Sequence, residues 1–294
     1  MFAFALWPCL GLAKPPASQF GGLVSIADGG SYTIIRSDTL RTGSKGATLV
    51  AGDIVETGPG AFLVLELHGG SLLGIGPSTR LYFLQRADIP TLVVLEGWIK
   101  ADVRGSAKSG ALRIMGTRLG IQGQRAVVLL HATERADEIF DEQGSATLLL
   151  RDDAATHLDR ETQTRQFLVR AGRQEVVLQP RPSAEFVAAM PIPFRDQLPD
   201  NASAKLKERT EPKQVRAVTY ADVQPWLTMP PDWRTGFIGR FRGRLKDPAF
   251  FAAMDAHLAL HREWDPILHP PPPDDAPQPA ASGTVMPTAG KTGP

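Results

Sequence analysis

Cysteine is almost absent from this 294-residue chain, and the single one is Cys9. It lies in an apolar N-terminal stretch, Phe2 to Leu12, that we expect to be removed. The mature chain would then have no cysteine, which excludes disulfides, thiolate nucleophiles and cysteine metal sites. Charge imbalance is missing as well. A net charge of +1 gives no global reason to expect nucleic acid or an anionic membrane as partner. No later apolar run approaches the roughly 20 residues that a membrane-spanning helix needs. No strict repeat period is visible, so spacing alone does not define a regular solenoid.

At the N-terminus, MFAFALWPCLGLAKPPAS places the small-x-small site Gly11-Leu12-Ala13 ahead of Lys14, Pro15 and Pro16. That order predicts a secretory signal over residues 1–13, although no positive n-region precedes it. Trp7 and Pro8 stand where lipid attachment at Cys9 would want small residues. A buried N-terminal strand is the alternative, and Pro8 suits it poorly. The expected location is a Gram-negative periplasm.

What is present, from residue 20 to 188, is a series of short apolar runs broken by glycine or aspartate. Runs such as Ser31 to Arg36, Ala61 to Leu67 and Ala126 to His131 are five to seven residues long and β-branched, which predicts strands. In Ala61 to Leu67 the set Ala61, Leu63, Leu65, Leu67 points one way and Phe62, Val64, Glu66 the other. Both faces are largely apolar, so this strand should lie between two layers. The expected class is mainly β, either β-sandwich or β-solenoid-like, and the region is expected to fold alone. Prolines from Pro180 to Pro199 then mark a linker over 189–214 with a mobile second half. A small helical domain is expected over 215–268. Thr219 or Asp222 would cap a first helix limited by Pro225. Asp232 would cap a second, bearing Trp233, Phe237, Phe241 and Leu245, and Asp247-Pro248 would start a third. Residues 269–294 read as a disordered proline-rich tail.

The glycines between Gly52 and Phe83 invite a comparison with phosphate-binding loops. Gly76 is followed by Pro77, which has no N–H, and no Lys-Ser or Lys-Thr follows at the required spacing. They are better read as turns. Gly52, Asp53, Thr57, Gly58, Gly70, Gly76 and Thr79 are structural turn residues, with the Asp53 carboxylate closing a turn. Gly69-Gly70 is a hairpin connection. Gly58 and Gly76, each beside a proline, are expected to need positive φ.

The run Gly52-Asp53-Ile54-Val55-Glu56-Thr57-Gly58, then an apolar strand, Gly70-Ser71, and Gly76-Pro77-Ser78-Thr79, resembles the core of the FecR domain. Leu95-Glu96-Gly97, and Gly116-Thr117 within Ile114 to Gly120, are similar to that family's later strands. The likeness covers residues 21–150. His68-Gly69-Gly70 replaces the usual Asp-Gly hairpin. The family's namesakes carry a cytoplasmic anti-sigma segment and a membrane span ahead of this domain, which this sequence does not show. The resemblance implies a β-solenoid-like periplasmic module that binds protein partners and is not an enzyme. It implies no sigma-factor role for this chain.

Catalytic patterns are weak. His257 and His261 are spaced i, i+4 but lack the following glutamate of a zinc protease, so they read as a solvated pair. His131 reads as a surface residue. Asp152-Asp153 and Asp274-Asp275 lie in turn-like or disordered contexts, and Ser71 and Ser78 lack a nucleophile elbow. No catalytic residue, cofactor or metal site is expected. The candidate binding residues are Arg234, Arg240, Arg242, Arg244 and Lys246, which could dock an envelope protein or an anionic envelope polymer. The alternative is a set of solvated helix charges, favoured by the flanking Asp232 and Asp247. The function expected is a non-enzymatic binding or scaffolding module in envelope physiology or signalling. Its rivals are a carbohydrate- or peptidoglycan-active envelope enzyme and an outer-membrane assembly factor. An ionisable pair converging in a cleft would favour the enzyme, and a smooth convex β-surface the scaffold. N-terminal sequencing of exported protein should begin near Lys14, and an intact Met1 would overturn the signal assignment.

Overall fold

The computed structural model describes residues 20–84, 89–105, 111–152, 155–206 and 208–271. The expected signal segment with Cys9, Asp153, Asp274-Asp275 and the tail from 272 onward lie outside the described residues. The chain is mainly β, a large mixed sheet followed by a small helical region. The strands are β1 (Gly21–Asp28), β2 (Tyr32–Arg36), β3 (Thr39–Thr42), β4 (Thr48–Val50), β5 (Ile54–Thr57), β6 (Phe62–Leu67), β7 (Leu72–Ile75) and β8 (Arg80–Phe83). They continue as β9 (Thr91–Arg104), β10 (Leu112–Met115), β11 (Leu119–Ala132), β12 (Ala136–Arg151), β13 (Thr156–Glu161), β14 (Gln166–Ala171), β15 (Val177–Gln179) and β16 (Lys213–Ala217). The helices are α1 (Ala184–Ala189), α2 (Tyr220–Leu227), α3 (Phe237–Phe241), α4 (Pro248–Ala256) and α5 (Asp265–Leu268).

β9 is the strand on which the sheet turns. Its first half pairs with β8 and β10, and its second half with β7 and β11. Between the halves, Arg80 faces Glu96 but Leu81 faces Val94, a one-residue bulge. Because side chains alternate, a bulge exchanges the two faces. Leu92 and Val94 enter the central core before it, and Ile99, Ala101 and Val103 after it. Gly97 makes the bend with φ +96°, and a Cβ there would sit 2.3 Å from Thr79 Oγ1. β11 changes phase in the same way, from Leu119 and Ile121 to Val128 and Leu130, across its own register shift.

The strands therefore bury both faces. On β6, Leu63, Leu65 and Leu67 join the central core, while Val64 belongs to a second cluster with Phe62 packed against it. That second cluster is closed by Phe186, Phe194 and Leu198, from the segment after β15. A third cluster lies on the other outer face. There Ile35, Ile54, Tyr82, Val93, Met115 and Leu149 meet Trp226, Phe237, Phe241, Phe250, Met254 and Trp264 of the helical region. Full burial of one such large apolar side chain contributes roughly 1.5–3 kcal/mol. The helical region thus covers six apolar side chains of the sheet that precedes residue 188.

Residues of the expected linker have partners on the sheet. Lys100, 1% exposed, donates from Nζ to the carbonyls of Phe194 and Asp196, both at 2.9 Å, and so straps 194–196 to β9. Further along, Asp200 pairs with Arg104, Glu66 accepts from Ser203 N, Thr210 N donates to Gly46 O, and β16 joins β3. These partners hold Phe194, Asp196, Asp200, Ser203, Thr210 and β16 along the sheet. Asp232 caps no helix. α3 begins only at Phe237, and Asp232 pairs with Arg151 instead. The Asp247-Pro248 start is present, with Asp247 Oδ1 accepting from Ala249 N at 3.0 Å.

The glycine expectations need one correction. Gly52 and Gly70 have positive φ, but Gly58 and Gly76 do not. What Gly76 provides is space, since a Cβ would lie 2.8 Å from Trp98 Cβ, whereas at Gly58 the nearest atom is Ser31 O at 3.2 Å. Gly76→Ala should therefore cost about 1–3 kcal/mol through overpacking, and Gly58→Ala clearly less. Equal melting temperatures for the two variants and wild type would overturn this.

Candidate binding site at the seam between sheet and helices

The turn between β10 and β11 is held from below by Asp137. Its buried Oδ2 accepts from the backbone N–H groups of Arg118 and Leu119, at 2.5 and 2.9 Å. Burial raises the Asp137 pKa, and these donors oppose the rise. Gly116 is required there, because a Cβ would stand 2.5 Å from that carboxylate. The turn thrusts Thr117 and Arg118 outward. Facing them is the connection after α2, Thr228 to Pro231, and between the two runs a cleft of about 540 Å³.

Its lining includes Arg118, Arg151, Arg170, Arg173 and Arg234, with Asp152. The guanidinium groups are held rigidly. Arg151, at the end of β12, makes a two-point pair with Asp232 and stacks over Trp233 at 4.1 Å. Arg170 donates to the carbonyls of Gln174, Arg118 and Arg151 and to the Asp152 carboxylate. Arg118 donates to Thr117 Oγ1 and to the carbonyls of Thr133 and Glu134. Arg234 donates to the carbonyls of Leu227 and Leu260, and lies 3.2 Å from Glu263. Each of these four also has a carboxylate beside it, Asp137 for Arg118, Asp232 for Arg151, Asp152 for Arg170 and Glu263 for Arg234. The Arg234 side chain is only 9% exposed, yet its Nε has no hydrogen-bond partner.

Of the residues named from sequence, Thr117, Asp152 and Arg234 line this cleft and Gly116 lies in its turn. The other turn and binding candidates do not. Asp53 closes the turn after β4: its Oδ2 accepts from Val50 N, and Arg36 grips it from Nε and Nη2. Thr57 Oγ1 donates to Gly76 O and accepts from Thr79 N, and Thr79 Oγ1 accepts from Trp98 N. Gly58, Gly70 and Gly76 lie in turns or close approaches away from the cleft.

Arg240 is corrected most. Expected on a solvated face, it donates to the carbonyls of Ile35, Ser37 and Gly52. Burial pulls its pKa down to about 10. It rivets α3 onto two β-turns. Arg244 is likewise engaged, with Val218 O and Asp247, while Arg242 and Lys246 are exposed. Arg118, Arg151, Arg170 and Arg173 were missed because they are single basic residues at strand ends and turns, with no mutual spacing. His261, expected in solvent, is fully buried 3.3 Å from Tyr220 O–H. His131, expected at the surface, stacks on Trp98 at 4.0 Å and lies 2.8 Å from Glu138. No group of metal-ligating side chains occurs among the described residues.

A larger cleft, of about 720 Å³, lies beside the strap and is lined by Lys100, Asp102, Arg104, Arg125 and Glu142 among others. Lys100 is consumed by two carbonyls and by Glu142 at 2.7 Å, and Arg104 by Asp102 and Asp200. Its Lys100 and Arg104 thus face carboxylates at close range.

No protein-family model matches the chain, and no curated protein matches it. Among solved structures, it is similar to two crystal structures of a candidate anti-sigma factor from Parabacteroides distasonis, at 11% identity and a TM-score of 0.38. The match covers 46% of this chain and 63% or 62% of the neighbour, so the chain spans less than two thirds of that neighbour's length. A likeness of this size defines no family. No helix among the described residues is long and apolar enough to cross a membrane.

Replacing Arg240 by serine should destabilise the fold by on the order of 3 kcal/mol, because three buried carbonyls lose their donor. Arg242→Ser and Lys246→Ser should each stay within about 0.5 kcal/mol of wild type. Denaturant melts that rank the three variants equally would contradict the rivet role.

Proposed function

We propose that this chain is a non-enzymatic binding or scaffolding module of the bacterial cell envelope, exported to the periplasm and serving envelope physiology or signalling. Its partner is an anionic group on an envelope protein or polymer, held in the seam cleft. One observation carries the reading: Arg151, Arg170 and Arg234, with side chains at most 9% exposed, converge on one open cleft. Guanidinium groups already locked in place lose little entropy on meeting an oxyanion. The N-terminal signal pattern and the FecR-like run support the location and the non-enzymatic role.

The surface is not the smooth convex face expected of a pure scaffold, and an ionisable pair does sit in the larger cleft. That pair, Lys100 and Glu142, belongs to the strap: the amine donates to two backbone carbonyls and lies 2.7 Å from the Glu142 carboxylate. A binding cleft therefore fits better than a catalytic one.

Retention of purified protein on envelope extracts tests the proposal. Retention should fall at least about fivefold between 0.05 and 0.5 M salt, since screening shortens to a few ångströms. Arg173→Glu, at an exposed lining position, should weaken it at low salt. Retention indifferent to both salt and the variant would overturn the proposal.

A further inference from the structure

The seam cleft does not end at the arginines. A second lobe of about 430 Å³ shares Thr117, Thr228, Met229 and Pro230 with it, so the two form one continuous groove. The lobes differ in chemistry. The first holds the five arginines, while the second is lined by Leu95, Pro225, Met229 and Pro230, with Glu96, Glu134 and Arg80 at its rim. Arg80 pairs with Glu96 at 3.1 Å, as Arg151, Arg170 and Arg234 of the first lobe pair with Asp232, Asp152 and Glu263. But the first lobe has five arginines to the single acid of its lining, and the second one arginine to two. Glu134 is exposed and its carboxylate has no ion-pair partner among the described residues.

Resting on the reading of the seam as an anion site, we infer that its occupant is an extended polypeptide segment. Acidic side chains or a terminal carboxylate would lie in the arginine lobe, and an apolar side chain would lie against Leu95, Pro225 and Met229. The argument is charge complementarity along the groove. A uniform polyanion, such as a phosphate-bearing polymer, would carry the same charge over both lobes. Its far end would lie against Glu134 and would cover apolar side chains with charge, both unfavourable. A polypeptide can change from acid to apolar within two residues, about 7 Å of extended chain, and so follow the change in lining.

Fluorescence anisotropy with the full chain and three probes tests this. The probes are a labelled peptide of two leucines followed by two aspartates, its all-aspartate counterpart, and inorganic polyphosphate as competitor. The leucine–aspartate peptide should bind at least about tenfold more tightly than the all-aspartate one, a difference of about 1.4 kcal/mol. Polyphosphate should compete poorly. Glu134→Lys, at an exposed position whose side chain has no ion pair among the described residues, should narrow that gap and let polyphosphate compete. If the all-aspartate peptide or polyphosphate binds wild type as tightly as the mixed peptide, the segment is not a polypeptide of this kind and the polymer reading replaces it. If no probe binds, or binding is indifferent to Arg173→Glu, the anion site itself is refuted along with this inference.

Discussion

The fold rests on a sheet whose strands are apolar on both faces. Alternation along β5, β8 and β9 sends Val55, Leu81, Leu92 and Val94 into the central core, and Ile54, Tyr82 and Val93 outward. An outward apolar face cannot be left in water without aggregation or loss of stability, so something must cover it. The C-terminal helices cover one such face and the strap through Phe186, Phe194 and Leu198 covers the other. Neither cover is an appendage. Each completes a hydrophobic layer that the strands begin.

The covers are fixed by polar contacts as well as by burial. Arg240 reaches three backbone carbonyls of two β-turns, and Trp226 donates its indole N–H to Glu56 at 3.0 Å. The Gly52-Asp53 turn is held by Arg36 on one side and Arg240 on the other. Where helices and sheet meet but do not close, the seam cleft remains. Its arginines come from both: Arg118, Arg151 and Arg170 from the sheet, Arg234 from the helical region. The site exists only because the two are joined.

Much of the sheet was legible in the sequence because period-two alternation and glycine breaks are local signals. The two-faced burial of Ala61 to Leu67 and the Asp247-Pro248 helix start could be read directly. The bulge at Glu96-Gly97 could not, because a one-residue slip shows only once the partner strand is known. Arg240 was misplaced for a related reason. Helical spacing puts it opposite Phe237 and Phe241 on an isolated helix, but its partners, Ile35, Ser37 and Gly52, lie about 200 residues away in sequence. Long polar side chains take their roles from tertiary neighbours, and spacing along one element does not carry that information. The seam arginines were invisible for the same cause.

Native-state hydrogen exchange on the full chain tests the central claim, that helices and sheet are one unit with the site at their junction. Amides of α2 and α4 should open with the same free energy and denaturant dependence as those of β5 and β8, in one cooperative step. Helical amides that exchange through a separate, low-energy opening, with the sheet still protected, would contradict it.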